Sequence, residues 1–268
     1  MPATDTVLLH DLTTTALALA DAARGETLRH FRKADLVARD KGVAAFDPVT
    51  EADRAAETAM RALLARHRPD DGILGEEFGS SGGTTGLTWV IDPVDGTRAF
   101  LAGAPTWGVL VAVSDAEGPI LGLVDQPFIG ERFFGGPDGA WTEGPAGRHP
   151  LRTRPPRPLS QAILMSTFPE IGTEAEARAF RAVADRVRLT RYGMDCYAYM
   201  LVALGQVDLV IEAGLNPYDI QGPMAVIRAA GGVVTDWRGG PAQAGGRVIA
   251  AANPEIHAQA LALLADTP

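Results

Sequence analysis

A single cysteine, Cys196, leaves no partner for an intramolecular disulfide and no thiolate set for a metal cluster. Such usage fits a reducing compartment. Lysine is almost as scarce: Lys33 and Lys41 are the only two, so a phosphate loop built on a lysine has little to draw on. Positive charge is in the minority as well. Lys and Arg total 24 against 33 Asp and Glu, and the net charge of −9 has the wrong sign for holding nucleic acid or an anionic membrane. No apolar run approaches the roughly 20 residues of a membrane span. The opening MPATDTVLLHDLTTT is acidic where a secretory signal would be basic. These absences point to a cytoplasmic protein that acts on a small molecule, without nucleic acid or membrane as partner. If that molecule is an anion, a bound cation must draw it in.

What is present is a chain of 268 residues, 46% of them hydrophobic, enough for a large core in one big domain or in two intimately packed halves. Leu8, Leu12, Ala16, Leu19 and Ala23 fall on one face of a helix expected over residues 5–31. A loop through Lys41-Gly42 follows. Thr50 and Asp53 have the spacing of a capping box, with Asp in place of the usual Glu. They open a second helix with Ala56, Met60, Leu63 and Leu64 turned inward, which stops near Pro69-Asp70-Asp71-Gly72. Strands are then expected at 73–74, 88–91, 107–114, 120–125 and 132–134. The stretch 135–158, rich in Gly, Pro and Arg, reads as the connection between the halves. Beyond it helix and strand alternate: strands at 162–166, 208–212, 232–236 and 248–251, and helices at 174–185, 197–204, 217–230 and 254–265. This order implies an α/β fold of layered α+β type, with an N-terminal half over residues 1–145 and a C-terminal half over residues 146–268.

Chemistry concentrates where Trp89-Val-Ile-Asp92-Pro93-Val94-Asp95-Gly96-Thr97 leaves a buried strand. Two carboxylates lie three positions apart, and Pro93 stiffens the turn between them. Gly96 permits close approach of a ligand to the backbone. Carboxylates with a backbone carbonyl form a hard oxygen set, suited to Mg²⁺ or Mn²⁺ rather than zinc. Glu76-Glu77 follows a short strand, and Asp219 follows the strand that ends at Glu212. Ligands of α/β proteins gather at strand ends. Taken singly, Glu76-Glu77 also fits a solvated pair, and Asp219 a first-turn helix acid.

Together and in this order, the segments resemble the inositol monophosphatase family of Mg²⁺-dependent phosphatases. The matching stretches are Asp47-Pro-Val-Thr-Glu-Ala-Asp53, Gly75-Glu76-Glu77, Trp89 to Thr97, and Tyr218-Asp219 followed by Ala230-Gly231-Gly232. Tyr218 stands where the family usually has Trp. The resemblance implies an inositol-monophosphatase-like fold, a homodimer, and two or three Mg²⁺ per site, with Mn²⁺ an alternative. It assigns Glu76, Asp92, the Val94 carbonyl, Asp95 and Asp219 to the metals. Glu76 and Thr97 would orient the attacking water, with Asp47 and Asp53 close by. Gly96 and Thr97 would hold phosphate oxygens, and Arg98, Asp195 and Glu212 would face the rest of a phosphomonoester. Asp95-Gly-Thr-Arg98-Ala-Phe100 and Asp195-Cys-Tyr-Ala-Tyr199 are most similar to the histidinol-phosphate phosphatase branch, whose role is in histidine biosynthesis. Hydrolysis of inositol phosphate, fructose 1,6-bisphosphate or a 3′-phosphonucleotide by the same family, and a non-catalytic metal-binding regulator, stay open.

The remaining candidates read as structural. His10, His30, His67, His149 and His257 lack metal-ligand spacing, and Cys196 belongs to an apolar helix. Arg152, Arg154 and Arg157 read as a solvated linker. Tyr197 and Tyr199 read as core, with Tyr197 the better placed to reach a pocket. Glu57 lies outside every motif, so Glu57→Gln is expected to leave turnover nearly unchanged. Convergent carboxylates should make turnover depend on added Mg²⁺, with Ca²⁺ a poor substitute because of its looser geometry. A chelation series checks this, and full activity without divalent cations would contradict it.

Overall fold

The computed structural model describes residues 6–33, 39–40 and 48–264. Helix α1 (Thr6–His30) buries Leu12, Ala16, Leu19 and Ala23, the stripe expected of it. A short bridge pairs β1 (Arg39–Asp40) with β2 (Pro48–Val49). Helix α2 (Glu51–His67) begins at the expected capping box: Ala52 N donates to Thr50 Oγ1 at 3.1 Å, and Thr50 N donates to Asp53 Oδ2 at 2.9 Å. The two helices pack side by side over one face of the first sheet.

That sheet has eight strands: β3 (Gly72–Gly75), β4 (Gly79–Ser81), β5 (Thr88–Asp95), β6 (Gly108–Asp115), β7 (Gly118–Gln126), β8 (Glu131–Gly136), β9 (Gly139–Gly144) and β10 (Gly147–Pro150). Their spatial order is β10-β9-β8-β7-β6-β5-β3-β4, and only β3 and β5 run parallel. A one-turn helix, α3 (Thr97–Ala102), follows β5. The second sheet has the order β12-β11-β13-β15-β14, from β11 (Ile163–Ser166), β12 (Leu189–Tyr192), β13 (Leu209–Leu215), β14 (Val233–Asp236) and β15 (Gly246–Ala251). Helices α5 (Asp195–Ala203) and α6 (Pro217–Ala229) lie between the sheets, and α4 (Glu174–Ala184) and α7 (Pro254–Leu264) cover the far face of the second. The layers run α-β-α-β-α.

Three expectations are corrected here. Residues 135–158 are not simply a connection, because β9 and β10 extend the first sheet through them. Their glycines serve tight antiparallel turns, which composition alone does not separate from a linker. Strand β12 at a sheet edge was not foreseen, since it is mostly exposed and shows no apolar alternation. Arg152 is exposed, as expected of a solvated linker, but Arg154 and Arg157 are held in ion pairs. Arg154 Nη1 lies 2.9 Å from Asp208 Oδ2 and Arg157 Nε 3.2 Å from Asp208 Oδ1, and Asp208 is fully buried. The lone acid draws both guanidiniums against the second sheet. The loop at Lys41-Gly42 lies outside the described residues. Among the described residues no helix is long and apolar enough to cross a membrane.

Helix α6 sets the depth of the molecule's centre. It crosses β7 and β8 where both strands carry glycine. A Cβ on Gly122 would stand 2.3 Å from Gly222 O, and one on Gly135 would stand 2.4 Å from the Val226 Cα. Backbone contact this close, along the second and third turns, sets the depth of α6, whose first turn carries Asp219. Gly122→Ala should therefore overpack this layer, costing about 1–3 kcal/mol. A thermal midpoint several degrees lower is the expected outcome, and an unchanged midpoint would show that α6 has room to move.

Candidate active site

Strand β5 ends buried, and its last turn holds two acids. Asp92 Oδ1 accepts from Val94 N at 2.9 Å, which folds the carboxylate back over its own turn. Asp95 Oδ2 accepts from Cys196 N, in the first turn of α5, at 2.7 Å. Asp219 Oδ2 accepts from Asn216 N at 2.6 Å, at the start of α6. Each acid is thus oriented by one backbone N–H. Ligand atoms of all three lie within 4.8 Å of one another. Asp92 and Asp95 come from the first sheet, while Asp219 enters from the helix that follows β13 of the second.

Charges so close raise one another's proton affinity. Burial pushes Asp92 well above the usual carboxylate range, and the charges of Glu76, Asp95 and Asp219 push it further. Burial does the same to Asp95, helped by Asp219 and Asp195. A divalent cation relieves this repulsion, and the donors are the hard oxygens such a cation prefers. By donor chemistry and mutual distance, these acids fit Mg²⁺.

A cavity of about 300 Å³ opens beside the cluster. Its lining includes Glu76, Asp95, Gly96, Thr97, Arg98, Asp195, Glu212 and Asp219. Of the residues that the sequence offers for catalysis, metal or substrate, these eight share one space. Asp92 lies buried behind them. The Val94 side chain packs with Phe31, Ala52, Phe100 and Trp107, away from the cavity. Its carbonyl is engaged by Thr97 Oγ1, which donates at 3.2 Å and also approaches Asp53 Oδ1 at 3.4 Å. Asp53 is fully buried, and burial raises its carboxyl to about 6 despite two bonds from Thr50. Asp47 lies outside the described residues.

Gly96 has φ 85°, a left-handed conformation, and a Cβ there would fall 2.8 Å from the Asp195 Cγ. Asp195 itself has φ 46° and accepts from Thr106 Oγ1 at 2.7 Å. A non-glycine residue in this region marks a position that the surrounding structure constrains. Glu212, 5% exposed, accepts from Thr167 N at 2.6 Å and from Thr167 Oγ1 at 2.9 Å. Burial outweighs these bonds and lifts its carboxyl to about 7. Arg98 lies over the ring of Phe168, 5.0 Å from its centre, at the cavity rim.

With this geometry, the comparisons with known proteins decide the family. The inositol monophosphatase family model matches residues 8–267. The chain belongs to the inositol monophosphatase family. It is similar to a bifunctional chloroplastic phosphatase of Arabidopsis thaliana, at 41% identity over 91% of this chain and 72% of that protein. A histidinol-phosphatase of Streptomyces coelicolor is 37% identical over 92% of this chain and 94% of its own. Among solved structures, an inositol monophosphatase from Zymomonas mobilis superposes with a TM-score of 0.84 at 36% identity, covering 95% and 98% of the two chains. The inositol monophosphatase fold and the phosphatase class of the chain follow.

Several residues of this inositol monophosphatase site carried no motif. Thr167 and Phe168 come from the turn after β11, and Thr106 from the turn before β6. Tyr199 is buried in the core as expected, but Tyr199 rather than Tyr197 lines the cavity, and Tyr197 gives its hydroxyl to Glu131 Oε2 at 2.6 Å. Burial and the charges of Glu212, Asp95 and Asp219 push the Tyr199 phenol up.

Glu57 matters most among them. It is fully buried and accepts from Glu77 N at 2.7 Å and Phe78 N at 3.2 Å, while Arg61 Nε donates to it at 2.8 Å. A Cβ on Gly75 would come within 2.1 Å of Glu57 Oε1. Glu57 therefore holds the loop that presents Glu76, and the expectation of a silent position is withdrawn. Its spacing of four from Asp53 was the available signal, since it sets two acids on one helix face. An amide at this position would turn an N–H toward one of the backbone donors. Glu57→Gln should lower turnover about ten- to hundredfold by misplacing Glu76. Turnover at saturating substrate, compared with Glu51→Gln on the exposed face, tests this, and equal values would contradict it.

Proposed function

We propose that the protein is a Mg²⁺-dependent histidinol-phosphate phosphatase, cleaving L-histidinol phosphate to L-histidinol and phosphate. One observation carries the choice of substrate: the buried carboxylate of Glu212 and the constrained Asp195 line the same cavity as the metal-type acids. Phosphate chemistry at one end and negative charge along the wall fit an ester whose alcohol part carries an ammonium and an imidazole. The 37% identity to a protein named histidinol-phosphatase supports the reading.

The metal would be held by Glu76, Asp92, the Val94 carbonyl, Asp95 and Asp219. When bound, Mg²⁺ supplies Lewis-acid polarisation of the phosphoryl group, activates water and steadies the leaving oxygen. The chain's own groups do the positioning, which is most of what phosphoryl transfer needs. Thr97 Oγ1, oriented by the Val94 carbonyl and by Asp53, and the Glu76 carboxylate would hold the attacking water. The backbone amides of Gly96 and Thr97 would hold phosphate oxygens. The Arg98 guanidinium, steadied on the Phe168 ring, would stand at the mouth where the anion enters. Asp195 and Glu212 would bind the alcohol part.

A second reading, hydrolysis of an inositol monophosphate, is favoured by the likeness to the Zymomonas mobilis inositol monophosphatase. Polyol hydroxyls would also donate to Asp195 and Glu212. Specificity constants for histidinol phosphate, inositol 1-phosphate, fructose 1,6-bisphosphate and a 3′-phosphonucleotide at saturating Mg²⁺ separate the readings. Histidinol phosphate should lead, and a lead by inositol phosphate would replace the first reading with the second. In Glu212→Gln, the ratio of kcat/KM for histidinol phosphate to that for p-nitrophenyl phosphate should fall about ten- to hundredfold, the value of one hydrogen bond to a charged group. An unchanged ratio would remove Glu212 from recognition.

A further inference from the structure

Glu212 lies in β13, and the groups that hold its side chain come from the end of the neighbouring strand β11. The two strands run parallel, with Leu164 level with Leu209 and Met165 level with Val210. The same offset, carried past the last paired residues, sets Thr167 level with Glu212. Strand pairing has ended there, and the Glu212 side chain takes the N–H: Thr167 N donates to Glu212 Oε1 at 2.6 Å. Thr167 Oγ1 donates to the same oxygen at 2.9 Å. Ser166 Oγ stands 3.3 Å from Glu212 Oε2 and 3.4 Å from Phe168 O, so its one proton is shared between two long contacts. Thr167 is therefore the stronger holder.

Two donors on one oxygen fix the plane of the carboxylate. They also favour its ionised form, because such bonds are strongest to a negative charge. Burial works the other way, and at 5% exposure it lifts the carboxyl to about 7. The opposing effects are nearly balanced at neutral pH, so the loss of one donor changes the charge of this wall. From α5, Asp195 raises the proton affinity of Glu212 further, and Tyr199 faces it as a neutral phenol. On β15 the residue level with Glu212 is Val248, without charge, and the adjacent Arg247 is paired with Glu176. The other charged side chains of the cavity are Glu76, Asp95, Arg98 and Asp219.

We infer that Thr167 is a positioning residue: through its bonds to Oε1 it sets the direction and the negative charge that Glu212 presents to the alcohol part of the substrate. The inference rests on the proposed recognition by Glu212 and deepens it. Thr167 and Glu212 both line the cavity, so the pair belongs to its wall and is not a tie hidden inside the sheet. A threonine suits this place better than an arginine or lysine. It orients the carboxylate without cancelling its charge, which stays available to a cationic group on the substrate.

The test uses the full-length, Mg²⁺-loaded protein and the variants Thr167→Val, Thr167→Ser and Glu212→Gln. Valine keeps the shape of threonine and removes the hydroxyl, whereas serine keeps the hydroxyl. The first measurement needs no substrate. Carbon NMR of glutamate-labelled protein follows the Glu212 carboxyl, identified by the signal lost in Glu212→Gln. Its titration midpoint should rise by about one to two pH units in Thr167→Val and stay near the wild-type value in Thr167→Ser. The second measurement is the ratio of kcat/KM for histidinol phosphate to that for p-nitrophenyl phosphate near neutral pH. Thr167→Val should lower this ratio about three- to tenfold, and Thr167→Ser should keep it. In a Glu212→Gln background, Thr167→Val should move the ratio less than about twofold, because the residue acts through Glu212. A merely structural tie would slow both esters alike and leave the ratio unchanged, and that result would overturn the assignment. An unmoved midpoint, or an equal fall of the ratio with and without Glu212, would do the same. If the midpoint moves as expected but the wild type fails to hydrolyse histidinol phosphate, the substrate proposal fails and the hold of Thr167 on Glu212 stands. If the wild type prefers histidinol phosphate and the midpoint does not move, the reverse holds.

Discussion

Mutual repulsion among Asp92, Asp95 and Asp219 is the constraint on which the rest of the molecule depends. Three carboxylates with ligand atoms within 4.8 Å of one another are unfavourable in a protein interior, and burial raises the proton affinity of Asp92 and Asp95. Each acid is tied to a backbone N–H: Asp92 to Val94 in its own turn, Asp95 to Cys196 at the start of α5 and Asp219 to Asn216 at the start of α6. The same ties aim the oxygens into a common space. Stability given up there is what makes the centre able to bind a divalent cation.

The cluster spans both sheets, so the layers must meet at a fixed depth. Glycines in β7 and β8 let α6 lie against the first sheet, and α5 donates to Asp95 from its first turn. Glu57 fixes the loop after β3 from below, and Asp53 steadies Thr97. These residues touch neither substrate nor metal on the proposed reading, yet they set where Glu76 and Thr97 point. A phosphatase relies on such positioning, because little covalent chemistry is asked of the protein itself.

Much of the architecture was legible from local pattern. The stripe of α1, the capping box of α2 and the proline-led start of α6 are short-range signals, and their physics is local. What escaped was set by pairing partners far away in the chain. Strands β9 and β10 look like linker because their glycines serve turns, and Arg154 and Arg157 look solvated until Asp208 is placed beneath them. Edge strand β12 has no apolar face for periodicity to detect.

The candidate site divides along the same line. Spacing alone placed Asp92, Asp95 and Gly96 in one turn, because a strand end and the following residues cannot separate. The sequence also determined that the centre is oxygen-rich, poor in lysine and without a thiolate set, which selects a hard cation. Only the tertiary structure brought Glu76, Asp195, Glu212 and Asp219 to that turn, across two sheets. It alone turned Tyr199 rather than Tyr197 toward the cavity, and it alone placed Glu57 beneath the Glu76 loop. Periodicity can name the buried face of a helix. Which distant backbone meets that face, and which side chain lines the cavity, is decided by packing between layers.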